Sequence, residues 1–183
     1  MNRSDDVLLD RLRTLSAEKF EHIHGDLFSH LLGTYRILSD WGSSEILCNA
    51  GLYHSVYGTF AYQNSLIGTE ARKEIVEIIG EDSETLVFLY GTCDRGYFYS
   101  QFGKRETIEH RNWKTKETRV LTQKETADLC ELTAANELEL ALTNDSFLIR
   151  YGDELKELFE KMNSYLSKNA ILECRKVFQL QTF

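Results

Sequence analysis

The stretch FSHLLGTYRILSDWGSSEILCNAGLYHSVYGT, residues 28–59, decides the fold. Leu31, Thr34, Tyr35 and Leu38 recur at steps of three and four, the period of one helix face, and Gly42 ends the run. Ser43 or Ser44 then caps a second run, with Ile46, Leu47, Ala50 and Tyr53 on its inner face and an end near Gly58. Each run carries one histidine inside its apolar pattern, His30 and His54. A polar ring in such a place must find a partner, either a backbone carbonyl or a functional group.

The same period extends to both sides. Val7, Leu8, Leu12, Leu15 and Phe20 predict a helix over 5–20, and Gly25-Asp26 marks the start of the helix that carries His30. Thr69 caps a helix that runs to Gly80, and a further helix begins at Glu81-Asp82, where acids suit the helix dipole. Residues 96–121 break the pattern: Tyr97-Phe98-Tyr99, Thr107 to His110 and Thr118 to Leu121 are rich in strand formers, which predicts a small β-hairpin near 105–121. Thr122-Gln123-Lys124-Glu125 reads as a capping box that opens a helix through Leu129, Leu132, Ala135, Leu138 and Leu142. Two last helices are expected over 153–167 and 170–178. The chain has no proline, so nothing of that kind interrupts these runs. The expectation is an all-α helical bundle of one domain, 1–183.

The totals narrow the class of function. A net charge of −8 argues against capture of nucleic acid, which needs concentrated Lys and Arg. The one basic stretch, Lys104 to Arg119, is interrupted by Glu106, Glu109 and Glu117. No segment approaches the roughly 18 consecutive apolar residues of a membrane span, and the acidic N-terminus does not read as a signal peptide, so a cytoplasmic protein is expected. Cys48, Cys93, Cys130 and Cys174 form no CxxC pair and read as reduced, buried thiols. A small-molecule ligand is the expected partner, and a homodimer is admissible.

The run from His30 to Thr59 resembles the HD-domain superfamily, and within it most closely the hydrolase domain of the RelA/SpoT guanosine-tetraphosphate enzymes. HLLGTYRILSDWG followed by ILCNAGLYHS matches the family's layout of a helix opened by a metal-binding histidine, a glycine turn, and a helix ending in LLHD. EARKEIVEIIGEDSETLVFLYGT is similar to the helix pair that follows, and LTAANELEL lies where the family carries its last aspartate. GLYHSVYGT and ANELE also resemble a smaller group of HD-like proteins. The resemblance places His30 and His54 at the first two ligand positions, but Ser55 stands for the aspartate of His-Asp, Asn136 for the final aspartate, and Gly58-Thr59 for the acidic pair. Two imidazoles, a hydroxyl and an amide suit a hard divalent cation poorly, because Mn²⁺ and Mg²⁺ prefer carboxylate oxygen. A divalent transition metal such as Zn²⁺ could still use His30 and His54, with His24 or Asp94 added.

Three readings follow. In the first, the chain is an enzyme acting on a small molecule without the usual metal: His54, with His30, Ser55 and Tyr57, is catalytic, and His24, Asp94, Arg95, Asn136 and Glu137 hold the substrate. In the second it is a metal-dependent hydrolase or oxygenase with rearranged ligands. In the third it is a non-catalytic module that binds a ligand or a protein. Hydrolysis of guanosine tetraphosphate is not expected, because the acids that the resemblance associates with it are missing.

Overall fold

In a computed structural model, which describes residues 3–19 and 24–179, the chain is predominantly α-helical with one two-stranded sheet. Its helices are α1 (Arg3–Lys19), α2 (His24–Asp40), α3 (Glu45–Tyr53), α4 (Arg72–Ile79), α5 (Glu81–Thr92), α6 (Arg95–Tyr99), α7 (Gln123–Thr143), α8 (Asp145–Met162) and α9 (Lys168–Phe178).

The capping chemistry explains most boundaries. Ser44, not Ser43, caps α3 by accepting from the Leu47 amide, and Gly42 makes the preceding turn with φ of +76°, a conformation that a side chain would strain. The Thr122–Glu125 capping box is formed at the start of α7. Asn144 and Ser167 cap α8 and α9 in the same way. The helix expected from Thr69 opens instead with a short 3₁₀ turn over Thr69–Ala71, preceded by Gly68.

Helix α7 is the axis. Every residue from Leu129 to Glu139 is buried, so α7 has no solvent face over three turns, and it packs against α2, α3, α5, α8 and α9. Helices α2 and α3 form the most extensive pairing and lie against it. Close approach here depends on glycine: a Cβ on Gly51 would sit 2.5 Å from Leu38 Cδ1, and one on Gly33 would sit 2.6 Å from Cγ of Glu139. Helix α5 meets the loop after α3 the same way, since a Cβ on Gly91 would be 2.8 Å from the carbonyl oxygen of Gly58. Helix α1 is fixed by the buried Tyr53, whose hydroxyl donates to Leu8 O at 2.8 Å.

The hairpin pairs β1 (Glu109–Arg111) with β2 (Thr118–Val120) antiparallel, within the span the sequence indicated. Tyr97-Phe98-Tyr99 is not part of it. These aromatic residues lie in α6, because Asp94 caps the helix through the Tyr97 amide and the Arg111 guanidinium covers the Tyr97 ring at 4.2 Å. Tertiary contacts here outweigh the strand preference of the aromatic residues.

Candidate functional site

His30 on α2 and His54 just past the end of α3 meet edge to face, with ring centroids 5.2 Å apart. They line a cavity of about 320 Å³ with Ser55, Thr59, Arg95 and Asn136, closed by Leu27, Ala61, Tyr62 and Leu140. Helical spacing places one residue of α7 against each: Asn136 opposite both rings, and Glu139 one turn on against His30.

The two rings have different surroundings. His30 faces the Glu139 carboxylate at Nδ1 and the Asn136 Oδ1 at Nε2, 3.1 Å away. The Asn136 amide nitrogen donates to Glu137 Oε1 at 3.1 Å, which fixes its oxygen as the acceptor toward His30. Both ring nitrogens of His30 thus face oxygen atoms, and the ring is held between two residues of α7. His54 donates from Nδ1 to the Gly51 carbonyl at 2.7 Å, leaving Nε2 as the acceptor of a neutral ring. Burial, reinforced by the charges of His30 and Arg95, pushes its pKa down to about 3.

Arg95 enters from α6. It donates to Glu137 Oε1 at 3.2 Å and to the Tyr90 hydroxyl at 3.0 Å, and it lies over the Tyr90 ring. Burial pushes the Glu137 carboxyl up, opposed by Arg95 and Asn136. One group in the cavity is unsatisfied: Ser55 Oγ is buried with no hydrogen-bond partner. Leaving a buried hydroxyl unpaired costs about 1–3 kcal/mol.

Of the residues singled out in the sequence, His30, His54, Ser55, Arg95 and Asn136 come together in this cavity, and Glu137 adjoins it through Arg95. Tyr57 and Asp94 do not. Tyr57 donates to Glu84 Oε1 at 2.8 Å in a separate buried cluster with Arg72, and Asp94 caps α6 while pairing with Arg111 at 2.8 Å. His24 opens α2, and its side chain lies outside the described residues. Glu139 escaped the sequence reading, although its spacing of three from Asn136 on α7 is the signal that would have found it.

This donor set does not fit the metal that the HD resemblance implies. Both His30 nitrogens are engaged, the positions of two carboxylates hold Ser55 and Asn136, and among the described residues no three His, Cys, Asp or Glu side chains converge as a metal-holding group. The four cysteines, all buried, stand elsewhere.

Residues 11–95 match a family described as a domain of unknown function, DUF6817, a span that includes α2 to α5 and both histidines. No curated protein and no solved structure matches the chain.

Proposed function

We propose that the chain is an enzyme on a small molecule, working by acid–base and polar catalysis with its own side chains. The observation that carries this is the Ser55 hydroxyl, buried and unpaired in a cavity whose two histidines have different hydrogen-bonding surroundings, His30 between Glu139 and Asn136 and His54 against a backbone carbonyl. An orphaned donor in an otherwise satisfied pocket is explained by a ligand that completes it. An imidazole backed by a carboxylate beside a second imidazole kept neutral by burial suits a proton-transfer group and an acceptor.

The roles follow from the bonds. His30, backed by Glu139, is the proton donor, and Asn136 holds the donated edge in place until substrate takes over that hydrogen bond. His54 is too weakly basic to carry a proton at neutral pH and serves as an acceptor that orients a substrate N–H or O–H. Ser55 completes the polar contacts. From the sequence alone His54 is the expected proton-transfer group; the hydrogen bonding supports His30 instead.

What supports an HD-like origin is that His30, His54 and Asn136, the positions the resemblance brings together, are neighbours here on α2, α3 and α7. Four buried cysteines that form no disulfide with one another suit a cytoplasmic protein. A non-catalytic binding module is the second reading, favoured by the internal satisfaction of both His30 nitrogens.

The test uses chelator-treated protein in a thermal-shift panel of nucleotides, sugar phosphates, amino acids and amines, followed by turnover assays on each hit. Expected is a stabilising compound that is consumed by the wild type, bound but not consumed by His30→Gln, and bound more weakly by Ser55→Ala. Stabilisation without turnover would establish the binding module instead. A Ser55→Ala variant that is markedly less stable than the wild type would show that the hydroxyl has an internal partner and would overturn both readings.

A further inference from the structure

The His30/His54 cavity shares three lining residues, Ala61, Arg95 and Leu140, with a larger cavity of about 680 Å³ between α6, α7 and α8. Both volumes are of the size that small organic ligands fill. The larger one is built differently. Its walls are apolar and aromatic, including Leu155, Leu158 and the Phe147–Tyr151 pair with ring centroids 5.0 Å apart. At its inner end the Tyr99 hydroxyl is buried with no hydrogen-bond partner.

Charge is distributed unevenly around it. The two bases in its lining already face carboxylates, Arg95 with Glu137 at 3.2 Å and Lys161 with Glu157 at 3.4 Å. Asp153 and Glu154 add two further carboxylates to the lining, and Arg150, outside it, lies 5.1 Å from the Tyr151 ring centroid, so the lining itself keeps an excess of negative charge. An apolar chamber with an aromatic wall and excess carboxylate favours an organic cation and disfavours an organic anion of the same shape.

We infer that the two cavities are compartments of one elongated site, and that the larger takes the apolar body and ammonium group of an alkyl- or arylamine whose polar head reaches Ser55. The inference rests on the reading of the inner pocket given above as a ligand site, and extends it to a substrate class. Arg95, which with Ala61 and Leu140 lines both compartments, stands where the two parts of such a ligand would join.

Calorimetric titration of the full chain with 4-phenylbutylamine, 4-phenylbutyrate and 4-phenylbutanol tests the outer compartment. The amine is expected to bind at least tenfold more tightly than the carboxylate, with the alcohol between them. The double variant Asp153→Asn/Glu154→Gln should reduce that ratio below threefold while leaving the alcohol unchanged. Tyr151→Ala should weaken all three probes. Equal binding of amine and carboxylate, or binding of none of the probes, would overturn the inference. A second series, arylamines lengthened by a hydroxyl-terminated chain, tests the union of the compartments. The longer probes should gain affinity in the wild type and lose that gain in Ser55→Ala. If the short amine binds with the expected preference but lengthening brings no gain, the compartments are separate and the inference is overturned, while the reading of the inner pocket stands.

Discussion

Two buried polar clusters flank Val56, and they differ in a way that separates architecture from function. On one side Tyr57, Arg72 and Glu84 close on one another: the Tyr57 hydroxyl and the Arg72 Nε both donate to Glu84 Oε1, Arg72 Nη2 takes the second oxygen, and the guanidinium lies 3.9 Å over the Phe88 ring. Every strong donor and acceptor there has its partner. On the other side Ser55 Oγ has none, and the histidines beside it have unlike surroundings, His30 against a carboxylate and His54 against a backbone carbonyl. The first cluster joins α4 and α5 to the loop after α3; the second leaves a hydrogen bond to be made by something else.

Substitutions should separate the two. The largest effect is expected from Glu84→Ala, which removes the acceptor for a buried tyrosine and the partner of a half-exposed arginine; a loss of about 3 kcal/mol is expected, with ligand binding by the folded fraction unchanged. Chemical denaturation and the thermal-shift panel read the two quantities. If binding falls as far as stability, the clusters are one unit and the contrast between them is lost.

Next comes pH. His54 has a folded-state pKa near 3, below the ordinary value of 6.5, so the unfolded chain takes up a proton as pH falls through 6.5 while the folded chain does not. Stability present above pH 6.5 is therefore lost toward pH 3, by about 2–3 kcal/mol at pH 4.5 from this residue. His110, whose pKa burial also lowers, adds loss of the same sign. Denaturation midpoints between pH 7.5 and 4.5 should fall steeply in the wild type and less steeply in His54→Gln. Parallel slopes would mean that His54 is not held neutral.

Gly33→Ala should cost about 1–2 kcal/mol, because the new methyl would overlap Glu139 at a position where the helices have no slack. Its sharper consequence is loss of the Glu139 contact with His30, and so of turnover beyond the loss of stability. Ser55→Ala has the smallest expected effect on stability and the opposite sign: removing an unpaired hydroxyl should leave the fold unchanged or up to about 1 kcal/mol more stable, while weakening ligand binding.

Much of the fold was legible because its signals are local. The period of α2 and α3, the Gly42 turn, the Thr122 capping box and the hairpin span each depend on a few neighbouring residues. Helix α8 begins at Asp145 rather than 153: in its first two turns Phe147, Leu148 and Tyr151 are only half-buried and Ile149 is exposed, a weaker core signal than Leu155, Leu158, Phe159 and Met162 further on. The site is legible only in part. His30 and His54 stand out as polar rings within apolar helical runs, whereas Asn136 is singled out by the family resemblance, and Tyr57 is grouped with Ser55 because both lie close to His54 in the chain. The chain there runs through successive tight turns, Val56 N to Tyr53 O and Gly58 N to Ser55 O, which send the two side chains to different clusters. Glu139 lies three residues after Asn136 on α7, but it is the position of α2 that makes it a partner of His30.

The contact between Gly91 and the Gly58 carbonyl has a consequence for tracing this protein's relatives. A side chain at position 91 would push on the loop that carries Ser55 and Thr59, and Gly58, at φ of +72°, could not yield by taking a side chain itself. The two glycines should therefore be inherited together wherever the pocket keeps its shape. A distant sequence that retains both while its histidines have changed would have kept the mould and recast the chemistry.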